Sequence, residues 1–342
     1  MKISPVLALL LMAPGASAWA QDAKLTRNNL SDALPADVLA AIQHAVSTKT
    51  IYPVTGNETF RDQILKADEI VFDSGASLTL SALDKPWIVL VANRWKFADP
   101  RVMVKIARAP RSSRDGSAGN DGTAGADHLG ETNRKGDDGG SGSEGMQGGS
   151  GGMVQLPRIY LVGGSFTSPS GDPIPGSLRL TLDFSGIAGG QGGQGGTGGS
   201  GGRAGNGKEG STSAFDCSDG PGPGGNGGAA GPGGAGGSGG QGGNGADIIY
   251  VSLASGIEQL SYARVINVEG YGGIGGRPGR AGRPGNGGAG APSHGWCGPS
   301  GQGYPGDFPN PADMGQGPNG SDGRKGSVTA ITVSSLAPLF PN

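Results

Sequence analysis

Gly186-Ile187-Ala188-Gly189-Gly190-Gln191-Gly192-Gly193-Gln194-Gly195-Gly196-Thr197-Gly198-Gly199-Ser200-Gly201 is the stretch that decides how this chain is read. Every third residue from Gly186 is glycine. A second glycine row at Gly190, Gly193, Gly196, Gly199, Gly202 and Gly205 runs beside the first, so side chains are confined to Gln191, Gln194, Thr197, Ser200 and Arg203. Three residues per turn is the repeat of the polyproline-II helix. Two bare rows and one polar row describe a rod with two faces open to close backbone contact.

The same phasing recurs outward from this stretch. Gly222 to Gly243 keeps glycine at every third place, with Asn226, Ala229, Pro232, Ala235, Ser238, Gln241 and Asn244 in its side-chain row. Gly270 to Gly288 follows suit, and shorter runs span 116–125, 136–151 and 317–326. Of 73 glycines only Gly15, Gly56 and Gly75 lie outside 116–326, so the chain is sharply divided. The runs pair into three predicted polyglycine-II hairpins, 114–152, 186–245 and 270–326, with tips at 126–135, 211–221 and 289–316. A collagen triple helix is the weaker reading, because these runs are short, change phase and often spend two of three places on glycine.

Strand formers separate the glycine segments. Ile88–Val91 and Val102–Ile106 precede the first, Ile159–Val162 and Leu178–Phe184 the second, Ile248–Val251 and Val265–Val268 the third, and Val328–Val333 closes the series. Ile70–Phe72 and Leu78–Leu80 open it. This order predicts a mostly β chain with a polyglycine-II helix bundle, in which strand-strand-glycine-hairpin units repeat on a β-stack or β-helix-like body. A helix from Pro35 to Val46, with Ser31 or Asp32 near its cap and Val38, Ile42 and Val46 on one face, is expected to cover the end of the stack. The implied divisions are a signal peptide at 1–20, an N-terminal cap at 21–62, opening strands at 63–113, the hairpin region at 114–326 and a closing strand with tail at 327–342.

Lys2, the apolar run Val6–Met12 and the small-x-small close Ala18-Trp19-Ala20 read as a secretion signal cut before Gln21. No Cys follows for a lipid anchor, and no later apolar run is long enough for a transmembrane segment. The expected location is therefore secreted, periplasmic or cell-surface. Without Lys2 the 26 basic residues become 25 against 28 acidic ones, a formal charge of −3, so nucleic acid is not an implied partner.

The two cysteines fall in neighbouring tips, Cys217 in the second and Cys297 in the third. In an oxidising compartment they are expected to form a disulfide. The third tip also gathers His294, Trp296, Tyr304 and Phe308, and the second holds Phe215. Two readings stand: exposed rings that stack on sugar or wedge into a receptor, or a small core closing the tips around the disulfide. Arg277, Arg280 and Arg283 recur every third residue, hence about 9 Å apart on one edge of a rod, and form a candidate anionic-surface site.

Other chemistry is thin. Gly-x-Ser-x-Gly around Ser150, Ser200 and Ser238 arises from the glycine repeat without a strand-to-helix elbow. Gly242–Ile248 fits a calcium nonapeptide but stands alone, and Asp121, Asp127, Asp137 and Asp138 are weak oxygen-ligand candidates. His44, His128 and His294 lack ligand spacing. No metal, cofactor or catalytic residue is expected.

The glycine phase resembles the polyglycine-II bundles of springtail antifreeze proteins, of the glycine-rich domain of Obg-type GTPases and of adhesin tips in some phage tail fibres. The resemblance covers roughly residues 114–326 and is architectural, so no functional residue carries over. It implies rods joined by loops, and in the phage adhesins such loops contact the receptor, which directs attention to tips two and three. The expected function is a non-enzymatic, adhesin-like structural or binding protein whose partner is a glycan or a cell-surface receptor. Ice binding through the small-residue row at Ala229, Ala235 and Ser238 is the alternative. A β-helical polysaccharide-active enzyme ranks below both, because the strand faces show no cluster of Asp, Lys and Arg.

Overall fold

The computed structural model describes residues 23–45, 49–174, 178–311 and 314–340. The expected signal peptide and Val46 lie outside them. In chain order the strands are β1 Ala23–Thr26, β2 Lys49–Val54, β3 Asn57–Phe60, β4 Ile64–Phe72, β5 Ser77–Leu80, β6 Trp87–Phe97 and β7 Val104–Arg108. They continue with β8 Glu131–Thr132, β9 Lys135–Gly136, β10 Arg158–Thr167, β11 Leu180–Asp183, β12 Ser211–Thr212, β13 Cys217–Asp219, β14 Ile248–Ser252, β15 Arg264–Ile266 and β16 Val328–Thr332. The helices are α1 Leu30–Ala33, α2 Ala36–His44 and α3 Ala254–Leu260.

The body corrects the predicted one. Instead of repeated hairpin units on a β-stack or β-helix-like core, the arrangement is of α/β type, with few helices and two parallel sheets. The seven-stranded sheet runs β1-β16-β14-β10-β6-β4-β2 and the five-stranded sheet β15-β11-β7-β5-β3. Consecutive strands of an expected unit do not pair. β6 joins the larger sheet and β7 the smaller, while β6 takes β4 and β10 as parallel partners. Parallel partners need a crossover, whereas a hairpin turn joins only antiparallel ones. Here the glycine segments lie within the crossovers from β7 to β10, from β11 to β14 and from β15 to β16.

Strand composition explains why both sheets persist. Ile88, Leu90, Ala92, Trp95 and Phe97 of β6 face Leu78, Leu80, Ile106 and Leu182 of the smaller sheet in one buried cluster. A ladder of rings runs through it: Phe72 stacks on Phe97 at 5.4 Å and on Trp95 at 6.3 Å, and Phe166 bridges Trp95 to Tyr250 at 6.0 Å on each side. Each such side chain contributes roughly 1.5–3 kcal/mol when fully buried. Ala67 and Ile70 both enter this cluster although three residues apart. The register accounts for it, since neither Asp68 against Asn93 nor Asn93 against Gly164 is a paired position in neighbouring strands. One residue slips out of alternation in each of β4, β6 and β10.

The helix prediction is corrected in position as well as length. α2 starts after Pro35 and, rather than covering the end of a stack, lies on the outward face of the larger sheet. Val38 and Ile42 pack there with Val89, Val91, Tyr160 and Val162. Lys66 Nζ donates to the carbonyls of Ile42 and Ala45 near the helix end, at 3.0 and 3.3 Å. It is β1 that extends an edge, pairing beyond β16.

Among the described residues the glycine segments leave the body as extended arms: 116–125, 136–151, 186–210, 222–245, 270–291, and a last one described over 301–311 and 314–326. Their hydrogen bonds recur every third residue. Gly116, Gly119, Gly122 and Gly125 donate to Gln191, Gln194, Thr197 and Ser200, while Gly190, Gly193, Gly196 and Gly199 donate to Gly152, Gly149, Met146 and Ser143. Gly189, Gly192 and Gly195 donate to Tyr271, Ile274 and Arg277 of the arm on the other side. Three outgoing arms thus form one layer and three returning arms the other. Arms 186–210 and 222–245 are central, and their two bare rows face these neighbours: a Cβ on Gly192 would stand 2.0 Å from the Gly237 carbonyl oxygen, and one on Gly196 1.9 Å from that of Asn120.

These contacts predict that Gly196→Ala lowers stability by roughly 2 kcal/mol or more, because backbone cannot yield as a flexible side chain would. Gly220→Ala, where a Cβ meets nothing within 4 Å, is expected to stay within about 0.5 kcal/mol. Chemical denaturation of the two variants checks the contrast.

Candidate functional site

The arms end in three turns that meet at one end of the glycine layers. In the first, β8 and β9 pair across Asn133 and Arg134, both at positive φ. In the second, β12 pairs with β13. In the third, His294 and Cys297 exchange both backbone hydrogen bonds at 3.0 and 2.9 Å around Gly295, whose φ is +54°. Arg134 ties the first turn to the second through an ion pair with Asp219 and a 3.1 Å bond to the Glu209 carbonyl. Lys208 pairs with Glu131 at 3.1 Å.

The second and third turns are joined covalently. Cys217 and Cys297 form a disulfide with Cα atoms 5.0 Å apart. Cys297 is buried, and Ser300 Oγ donates to the Gly222 carbonyl beside it. The His294 imidazole lies 4.0 Å from the Glu209 carboxylate.

The predicted ring cluster divides in two. Phe215, 90% exposed, and Trp296, 68% exposed, project from the tied turns together with exposed His294. Tyr304 and Phe308 are also exposed but lie off the tip. Gly303 donates to Gly288, Gly306 to Gly285, and the Tyr304 carbonyl accepts from Gly227, so the chain here has already rejoined the returning layer. Tyr304 and Phe308 follow Cys297 by seven and eleven residues, roughly 22 and 34 Å of extended chain at about 3.1 Å per residue. With all four rings exposed, a small core closing the tips is not what they build.

The candidate calcium carboxylates have other work. An outward row leaves its own N–H groups pointing at solvent, and acids on the neighbouring arm accept them: Asp115 from Gln191 at 2.8 Å, Asp121 from Thr197 and Asp127 from Arg203 at 2.7 Å. Asp138 accepts from Asn226 at 2.6 Å, and Asp247 from both the N–H and hydroxyl of Ser327. Asp137 accepts from the Thr132 hydroxyl. The Arg203 N–H, then its guanidinium, holds Asp127 below the usual carboxylate range, and the Asn226 N–H, then Lys135, does so for Asp138. Ala229, Ala235 and Ser238 lie half-buried on the outward row of arm 222–245, with Pro232 between them.

Two charged groups on the sheets went unseen in the sequence. Glu69 accepts from Arg94 Nε at 2.7 Å and pairs with Lys96 at 2.9 Å on the outward face of the larger sheet. The Lys96 hydrogen bond, helped by Arg94, holds the carboxyl below its ordinary range against the effect of burial. On the smaller sheet Lys105 pairs with Asp183 at 2.7 Å. Burial pushes Asp183 up, yet Lys105 and Ser185 together bring it below its ordinary value. Their signal was register: β4 and β6 align Glu69 with Arg94, and β7 and β11 pair Lys105 with Thr181, two positions from Asp183 on the same face.

Among the described residues no helix is long and apolar enough to cross a membrane. Compared with protein families, with characterised proteins and with solved structures, the chain matches none.

Two outcomes follow from this geometry. Reduction of the Cys217–Cys297 bond, which closes a sequence separation of 80 residues, is expected to cost about 4 kcal/mol on the chain-entropy account. Melting with and without reductant measures it. Because Glu69, Asp127, Asp138 and Asp183 have depressed folded-state values, their contribution is present above the unfolded carboxylate range of about 4 and is lost as pH falls through the folded values. A thermal-melt series from neutral to acid pH should show the midpoint falling only below that range.

Proposed function

We propose that this chain is a secreted or surface-associated, non-enzymatic binding protein whose tied tips engage a glycan. The observation that carries the reading is the exposure of Phe215 and Trp296 on turns braced by the Cys217–Cys297 disulfide. Large rings held out in water gain little for the fold and much for a ligand, because an aromatic face packs against the apolar face of a sugar ring while polar groups beside it take hydroxyls. His294 and Glu209 are the polar neighbours here. Bracing matters energetically, since a turn already ordered loses less conformational freedom on binding.

An oxidising location fits the cysteine pair. The architectural resemblance to phage adhesin tips, where loops between rods contact the receptor, points the same way. Against an enzymatic role, Glu69 and Asp183 are ion-paired and depressed in pKa, whereas a general acid needs a raised value. Hydrolysis assays on polyuronates address that alternative.

A glycan array with the oxidised protein tests the reading. Phe215→Ala and Trp296→Ala are each expected to weaken binding to the captured glycans by roughly tenfold, a loss of about 1.4 kcal/mol, with unchanged melting temperature. Array signals that survive both substitutions would remove the tips from consideration.

A further inference from the structure

The outward row of arm 270–291, continued back to the body, reads Val268, Tyr271, Ile274, Arg277, Arg280 and Arg283 at every third residue. Each of these carbonyls accepts an N–H from arm 186–210, from Gly186 to Val268 at 2.7 Å through Gly201 to Arg283 at 2.8 Å. The backbone of the row is therefore fixed, and its side chains point away from the layer. Tyr271 is 74% and Ile274 59% exposed. Among the described residues no acidic group pairs with the guanidinium of Arg277, Arg280 or Arg283, whereas Arg203 on the adjoining arm is tied to Asp127 at 3.0 Å. Beside the row lies a groove of about 630 Å³ lined by Gln191, Gln194, Ile274, Arg277 and Gln316.

We propose that this strip binds a linear anionic polysaccharide laid along the arm. Three unpaired guanidinium forks match carboxylate or sulfate groups in a planar, two-pronged geometry. Their spacing of about 9 Å is periodic, as the charges of a repeating polymer are. Toward the body the row turns apolar, where Tyr271 and Ile274 offer a surface for the carbon face of a sugar ring. Gln191 and Gln194 supply donors and acceptors for hydroxyls across the groove. A lipid surface fits less well, because Gln191, Gln194, Thr197 and Ser200 border the strip and would be desolvated by a bilayer. The site shares no residue with the tips and takes a charged ligand.

Affinity of the full-length oxidised protein for alginate, heparin and uncharged dextran, measured across ionic strength, tests the proposal. Alginate or heparin is expected to bind, more weakly as salt rises, and dextran not to bind at this strip. Combined Arg277→Gln, Arg280→Gln and Arg283→Gln should weaken polyanion binding about tenfold or more and flatten the salt dependence. Tyr271→Ala should weaken it several-fold without changing the salt slope. Phe215→Ala with Trp296→Ala should leave it unchanged, which separates this site from the tips. All these side chains are exposed, so melting temperatures should hold, and the single charge reversal Arg280→Glu gives an independent arm. Failure of both polyanions to bind, unchanged affinity in the arginine variants, or preference for phosphatidylglycerol vesicles over both polymers would overturn it.

Discussion

Every extended arm of this protein must place its backbone N–H and C=O groups somewhere, and the structure depends on how that demand is met. An unpaired buried backbone group costs about as much as a lost hydrogen bond or more. The arms have almost no side chains with which to bury apolar surface, so the bonds between arms do the work a hydrophobic core does elsewhere. They require close approach, and close approach requires glycine: positions such as Gly196 leave a Cβ 1.9 Å from a neighbouring oxygen. At the margins, where no further arm exists, side-chain oxygens substitute for the missing carbonyls. Asp322 and Asn319 accept from Gly272 and Gly275, and Pro278 and Pro284 carry no N–H at all.

The β body provides the anchor that makes such thin arms possible. Its parallel strands return in register because the two faces of the larger sheet are both apolar, one against the smaller sheet and one beneath α2. The crossovers that carry the glycine segments are long loops, and loop closure becomes more expensive with length. Arms that bond to one another along their whole course offset that cost. Strands and glycine layers are therefore mutually dependent, the first fixing where each arm begins and ends, the second ordering everything between.

At the far end, where fewer arm-to-arm bonds remain, the means of stabilisation changes. A disulfide, ion pairs from Arg134 and Lys208, and short antiparallel pairs hold the turns together. This leaves Phe215 and Trp296 free of any structural duty, and the rings stand in water. The outward row of arm 270–291 is similarly free, because its backbone is bonded while its side chains are not. Both candidate surfaces arise from the same physical cause: the backbone supplies the cohesion, so outward side chains are available for recognition.

Much of the glycine region was legible from phase alone, because a three-residue repeat assigns every residue to a row and only a bare row can meet another backbone. The cysteine pairing was legible too, from two thiols in neighbouring turns. The body was not. Ile88–Val91 and Val102–Ile106 read equally well as partners of each other or as members of separate sheets, since alternation reports burial and not which strand lies alongside. The pairing of Glu69 with Arg94 and Lys96 was hidden for the same reason, as register between β4 and β6 goes with the stacking of Phe72, Trp95 and Phe97 side by side on the inward face of the larger sheet. Likewise the sequence placed Tyr304 and Phe308 in a tip because no glycine phase was evident around them, yet Gly303 and Gly306 suffice to bond the chain back into the layer. What the sequence determined by itself was local: where the backbone is bare, where it is apolar, where it turns. Which strands lie side by side, and which rings share a surface, was decided only by the tertiary structure, because those depend on contacts between segments far apart in the chain.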